Sequence, residues 1–83
     1  SFDDECRIIG YKPGTGKYAG MLGAFHCELI KDKKITFDIS GMNDKIRKNY
    51  KKTHPVGTIV TFTYMGLSSK GVPRHPVYFR IRK

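Results

Sequence analysis

The strongest constraint on this chain is an apolar residue at every second position. Ile35, Phe37 and Ile39 alternate with Thr36, Asp38 and Ser40, and Val77, Phe79 and Ile81 alternate with Tyr78, Arg80 and Arg82. Period 2 is the repeat of a strand with one face buried, so the chain reads as mostly β. The predicted strands are about Glu5–Tyr11, Met21–Ile30, Ile35–Ser40, Thr58–Met65 and Pro76–Arg82. In the second, Met21, Phe25, Cys27 and Leu29 share a face with Gly23, which marks a bend or a close backbone approach. The alternation lapses once, over Asn43–Lys52. Asn43 is a capping residue there and Ile46 and Tyr50 stand four apart, so one short helix is predicted, ended by His54-Pro55.

Three strands, a helix and two strands within 83 residues is the order of an OB fold. The predicted class is therefore all-β, a five-stranded OB-fold barrel with one short helix between strands 3 and 4. An SH3-like barrel, the main competitor, usually lacks that helix. With 83 residues and 39% apolar composition, a single small domain spanning 1–83 is expected, excised from or appended to a larger protein.

Charge is distributed unevenly along the chain. Residues 1–44 hold six basic and all seven acidic side chains, net −1. Residues 45–83 hold ten basic side chains and no acid, net +10. A polyanionic partner is the leading expectation, and chemistry needing paired carboxylates has no material in the second half.

Other functional classes fall away on spacing. Gly14-Thr15-Gly16-Lys17 resembles part of a phosphate-binding loop. However, Tyr11 stands at the first glycine position, Tyr18 replaces the metal-binding hydroxyl, and a strand follows instead of a helix. His26, His54 and His75 with the two cysteines give no zinc spacing, and Ser68 and Ser69 lack a base and orienter. No catalytic and no metal-binding residue is therefore expected. Cys6 and Cys27 sit in apolar stretches and read as small buried hydrophobes, usage that suits an intracellular chain, nuclear or cytoplasmic. No stretch approaches the roughly 18 apolar residues of a membrane span, and the acidic start is unlike a signal peptide. A monomer without membrane contact is expected.

The residues that point to nucleic acid form three groups. Lys12 and Lys17 stand at the stem of the Gly/Pro loop, with Tyr18 beside them. Arg47 and Lys48 belong to a helix whose basic residues have almost no acids among them for pairing. Tyr78, Arg80 and Arg82 are predicted on one face of the last strand, with Lys70 and Arg74 in the loop before it. Guanidinium forks suit phosphate oxygens, and tyrosine offers stacking or a sugar contact. Asp38 is a candidate internal partner for one of that last group.

Three segments then resemble a known family. Gly14-Thr15-Gly16-Lys17-Tyr18-Ala19-Gly20-Met21-Leu22-Gly23-Ala24 is similar to the Gly/Lys-rich loop and Gly-x-Leu-Gly-Ala strand of small ATP-dependent DNA ligases. Lys34 to Met42 resembles their Lys-x-Phe-x-Ile-Gly-Ser/Thr-Gly-Phe segment, with one glycine fewer and Met42 for the aromatic. Gly71 to Lys83 resembles their Pro-Arg-Phe-Pro-x-Phe-x-Arg-Ile-Arg segment. The resemblance implies the OB domain that follows an adenylation domain, closes over nicked duplex DNA and lays its basic face on the minor groove. It further implies that Arg74, Arg80 and Arg82 help orient the pyrophosphate leaving group during self-adenylation. The Lys-x-Asp-Gly nucleophile motif of an adenylation domain is not in this sequence, so the 83 residues are expected not to seal a nick alone. Any ATP and Mg²⁺ would belong to the parent enzyme, with no cofactor in this domain. The alternative is a non-catalytic OB module of a repair or other multidomain protein, binding single-stranded nucleic acid or a protein partner.

Overall fold

The computed structural model describes residues 1–82; Lys83, which closes the last motif, lies outside them. Five strands form one antiparallel sheet: β1 (Phe2–Pro13), β2 (Leu22–Leu29), β3 (Thr36–Ile39), β4 (Ile59–Tyr64) and β5 (Val77–Ile81). The order across the sheet is β3-β2-β1-β4-β5, with the α-helix α1 (Asp44–Thr53) between β3 and β4 in the chain. This is the expected OB architecture. Its long first strand is shared by both halves of the sheet, pairing with β2 on one side and β4 on the other.

The sheet rolls until its two edges meet. They touch at one parallel bridge, Ser40 to Val77, where the Tyr78 amide donates to the Ser40 carbonyl at 2.8 Å. Among the described residues no full ladder closes the barrel, so this seam is narrow. Gly41 follows at φ +88°, and a Cβ there would lie 2.7 Å from Val77 Cγ1. The seam thus requires a glycine both for backbone conformation and for space.

Alternation places Cys6 and Ile8, Phe25, Cys27 and Leu29, Phe37 and Ile39, and Val60 and Phe62 inside. Burying each large apolar side chain contributes roughly 1.5–3 kcal/mol. Cys6 and Cys27 are free and buried, as expected. The neighbouring Cys27 thiol and burial push the Cys6 thiol up, away from the reactive thiolate. The predicted cap is present: Asn43 Oδ1 accepts from the Ile46 amide at 2.9 Å. Ile46 and Tyr50 pack against the core. At the far end the His54 amide reaches the Tyr50 carbonyl, and Pro55 follows.

Three strands depart from strict alternation, each for a local reason. In β1 the pairing runs Ile8 to Cys27 and then Gly10 to His26, leaving Ile9 as an extra, exposed residue. In β2 the pairing runs Lys12 to Ala24 and then Pro13 to Leu22, skipping Gly23. Leu22 is therefore buried in place of the expected Met21. A Cβ on Gly23 would come within 2.6 Å of the Pro13 carbonyl oxygen, so Gly23 is indeed a close backbone approach. In β5, Tyr78 pairs with Phe62 while Arg80 pairs with Thr61, leaving Phe79 as the extra residue of a bulge. Tyr78 consequently shares the inward face of Phe62, and Arg80 shares the outward face of Thr61. The predicted common face of Tyr78, Arg80 and Arg82 is corrected by that one residue.

Candidate nucleic-acid interface

The β1–β2 loop is a compact turn. The Gly14 amide donates to Met21 O at 2.8 Å, Tyr18 to Thr15 O at 3.0 Å, and Met21 to Tyr18 O at 2.9 Å. Gly14 lies so close to the Tyr18 backbone that no side chain fits there. The short 3-10 turn Gly16–Tyr18 presents Lys17, exposed, beside Tyr18; the Lys17 Nζ stands 5.1 Å from the Tyr18 ring centre. Lys12, at the stem, is not a free cation: its Nζ meets Asp38 Oδ2 at 2.7 Å. Asp38 also meets His26 Nδ1 at 2.7 Å, so its partners are these two and not the arginines expected. Burial works to raise the Asp38 carboxyl, but Lys12 and His26 outweigh it and hold it below its ordinary value.

Arg47, a candidate nucleic-acid contact beside Lys48, does not lie on the exposed face of the helix. It is 5% exposed. Its Nε donates to Met42 O at 3.1 Å, and one terminal nitrogen donates to Leu22 O at 2.8 Å and Gly23 O at 2.9 Å. The Tyr18 ring covers the guanidinium at 3.9 Å. The cause is the break in β2 at Gly23, where two carbonyls turn toward the helix within reach of one terminal nitrogen while Nε reaches a third carbonyl at Met42. Lys48 is exposed as expected, with Lys45, Lys51 and Lys52 on the same helix.

The segment between β4 and β5 is more ordered than a plain loop. Leu67 and Pro73 form an antiparallel bridge, the Met65 amide donates to Arg74 O and the Arg74 amide to Gly66 O across its base, and Ser68 Oγ accepts from the Lys70 and Val72 amides. The resulting hairpin places Lys70 at its exposed turn and Arg74 at its exposed stem. His75 follows at φ +53°, the sole non-glycine in that backbone region among the described residues. Such strain at a junction fixes the direction in which β5 departs.

On β5 the candidates separate. Arg80 is exposed, its guanidinium 4.9 Å from the ring centre of Phe79, which is 56% exposed. Alternation alone would bury Phe79; only the bulge brings this aromatic to the surface, and no local signal marks it. Arg82 is exposed but donates to Glu5 Oε1 at 3.3 Å. Tyr78 is drawn inward, its hydroxyl 2.8 Å from His54 Nε2. His54 stacks on Phe25 at 5.2 Å, and its Nδ1 lies 2.8 Å from Thr53 Oγ1. One neutral assignment satisfies the chain: Tyr78 donates to Nε2, Nδ1 donates to Thr53, and Thr53 donates to Asn49 O at 3.2 Å. Burial lowers the His54 imidazole below its ordinary value and raises the Tyr78 phenol above its own.

Salt bridges leave most of the second half's basic residues unanswered among the described residues. Glu28 pairs with Arg7, Asp38 with Lys12, Asp4 with Lys31 and Glu5 with Arg82. Among the described residues, Lys17, Lys48, Lys70, Arg74 and Arg80 have no carboxylate partner. No described helix is long and apolar enough to cross a membrane.

Comparison with known proteins gives this chain a family. The DNA ligase OB-like domain description matches residues 13–82. A DNA ligase of Haemophilus influenzae is 33% identical over 81 residues, covering 96% of this chain and 28% of that protein. A structure from work on DNA binding with a minimal scaffold in Lig E DNA ligases superposes with a TM-score of 0.85 at 29% identity, over 98% of this chain and 30% of that one. The Chlorella virus DNA ligase-adenylate superposes with a TM-score of 0.80 at 24% identity, over 99% of this chain and 30% of that one, a likeness of fold. This chain spans less than a third of the length of these relatives. By the span of the family match and the identity across nearly its whole length, the chain belongs to the DNA ligase OB-like domain family.

Proposed function

We propose that this domain binds duplex DNA around a nick, chiefly through backbone phosphates, as one part of an ATP-dependent DNA ligase. The observation that carries the reading is the unpaired set Lys17, Lys48, Lys70, Arg74 and Arg80, exposed on a domain whose ion-paired acids are engaged elsewhere. Phosphate contacts position a duplex without reading its sequence, which is what an enzyme acting at any nick requires. In this proposal adenylation, with ATP and Mg²⁺, belongs to an adjoining domain of the parent chain. Arg74, Arg80 and Arg82 reach toward it from this domain, and Arg82 must first leave Glu5. Such a role places the domain in DNA repair or replication, inside the cell.

A second reading has one observation in its favour. Exposed Phe79 beside Arg80 is a stacking platform of the kind that holds unpaired bases. Competition binding separates the two. The 83-residue chain is titrated with nicked duplex, intact duplex and single strand from low to moderate salt. The ligase reading expects nicked duplex to win, with a log–log salt slope near −0.9 for each phosphate neutralised. Equal competition by single strand favours the second reading, and an affinity indifferent to salt overturns the phosphate-led one.

A further inference from the structure

We propose that Arg47 is a positioning residue, a strut that holds the β1–β2 loop, by way of the Tyr18 ring, in the shape that presents Lys17 to DNA. This inference rests on the DNA-binding reading above. The turn Gly16–Tyr18 contains no buried residue, and Ala19 and Gly20 beyond it are exposed. Apolar burial therefore does not anchor it. What ties it to the rest of the domain is the Tyr18 ring seated 3.9 Å over the Arg47 guanidinium. That guanidinium is itself fixed by three carbonyls, two at the start of β2 and one just before α1. Arg47 thus joins three elements, the loop, the strand that leaves it and the helix, through groups already facing inward. Its charge reaches DNA through the loop it holds.

Lysine cannot substitute for this role. An ammonium is a point charge without a planar face, so it cannot span the carbonyls and lie flat beneath a ring. Arg47→Lys keeps the net charge and removes the strut, which makes it the informative variant. Its partner is Lys17→Ala, which removes the loop's cation and leaves the strut in place.

The experiment is a double-mutant cycle on nicked-duplex affinity measured across salt, joined to amide hydrogen exchange. Arg47→Lys is expected to weaken binding several-fold and to lower the salt slope by about 0.9, one phosphate contact. Lys17→Ala is expected to do the same. The double variant is expected to match the weaker single, because a mispositioned loop and a loop without its cation lose the same contact. Exchange at Tyr18, Ala19 and Met21, whose amides bond within the loop, is expected to accelerate in Arg47→Lys while β4 amides remain protected. Additive losses in the cycle, or unchanged exchange in the loop, would overturn the proposal. If Arg47→Lys does not fold, Tyr18→Leu removes the ring contact and leaves the carbonyl bonds intact; the same exchange pattern and the same non-additivity with Lys17→Ala are required of it. Absence of wild-type binding would overturn the DNA reading, with loop exchange still deciding the strut.

Discussion

Arg47 and Arg80 come from the same acid-free half of the chain, yet the fold uses them in opposite ways. Arg47 is buried, with three carbonyls and an aromatic ring around its guanidinium. Arg80 is exposed on an edge strand, with one aromatic neighbour and no ion pair among the described residues. The difference teaches that a basic residue in such a domain is assigned by the backbone it meets. Where β2 breaks at Gly23, carbonyls take a guanidinium; where β5 bulges at Phe79, the neighbouring arginine is turned out.

The sharpest way to break that comparison is to truncate the buried partner. Arg47→Ala leaves the carbonyls of Leu22, Gly23 and Met42 without their donor in a buried site. Unfolding in urea is expected to show a loss of about 3 kcal/mol, from buried acceptors left unpaired. A loss below about 0.5 kcal/mol would mean that water replaces the guanidinium and that the site is not structural.

The seam comes next, because it sets where β5 and its arginine lie. Gly41→Ala forces a side chain into φ +88° and against Val77 Cγ1. The expected cost is about 1–3 kcal/mol, read by thermal unfolding. An unchanged melting temperature would show that the single Ser40–Val77 bridge is dispensable to closure.

How much of this was legible beforehand follows from the range of each interaction. Strand order, the Asn43 cap and the end at Pro55 are local, written within a few residues of where they act. The close approach at Gly23 was also visible, since a glycine on an apolar face has few other reasons to be there. The inward turn of Tyr78 was not, because one extra residue in β5 exchanges the faces and alternation carries no mark of it. Arg47 looked like its lysine neighbours because its carbonyl partners at Leu22 and Gly23 lie more than twenty positions away. Asp38 found Lys12 and His26 across β2 and β1 for the same reason.

A third test uses pH to probe how β5 is held. His54 is buried and its imidazole sits below its ordinary value of 6.5, with burial as the cause. The unfolded chain therefore binds the proton first as pH falls. Stability from this group is fully present above about pH 6.5 and declines as pH drops toward the lowered folded value. Protonation also removes the acceptor that Nε2 offers the Tyr78 hydroxyl. Comparing wild type with His54→Gln from pH 7.5 to pH 5 isolates this contribution from His26 and His75. The wild type is expected to lose more stability over that range, and equal slopes would remove His54 from the account.

The smallest stability effect is expected at Arg80, and there the comparison with Arg47 closes. Arg80→Ala removes an exposed side chain with no ion pair among the described residues, so stability is expected to change by no more than about 0.5 kcal/mol. Nicked-duplex affinity is expected to fall, with the salt slope lowered by about 0.9 as one phosphate contact is lost. Arg82, two residues on, supplies the internal control. Because it already donates to Glu5, its alanine variant loses an internal pair as well as any phosphate contact, whereas Glu5→Gln weakens that pair and leaves the guanidinium in place. A Glu5→Gln variant that binds nicked duplex more tightly, beside an Arg80→Ala variant that binds it less tightly at equal stability, would show that DNA competes with carboxylates for this strand. If neither affinity moves, β5 is not the phosphate-contacting face, and the unpaired charge on the β1–β2 loop, α1 and the β4–β5 hairpin must carry the binding instead.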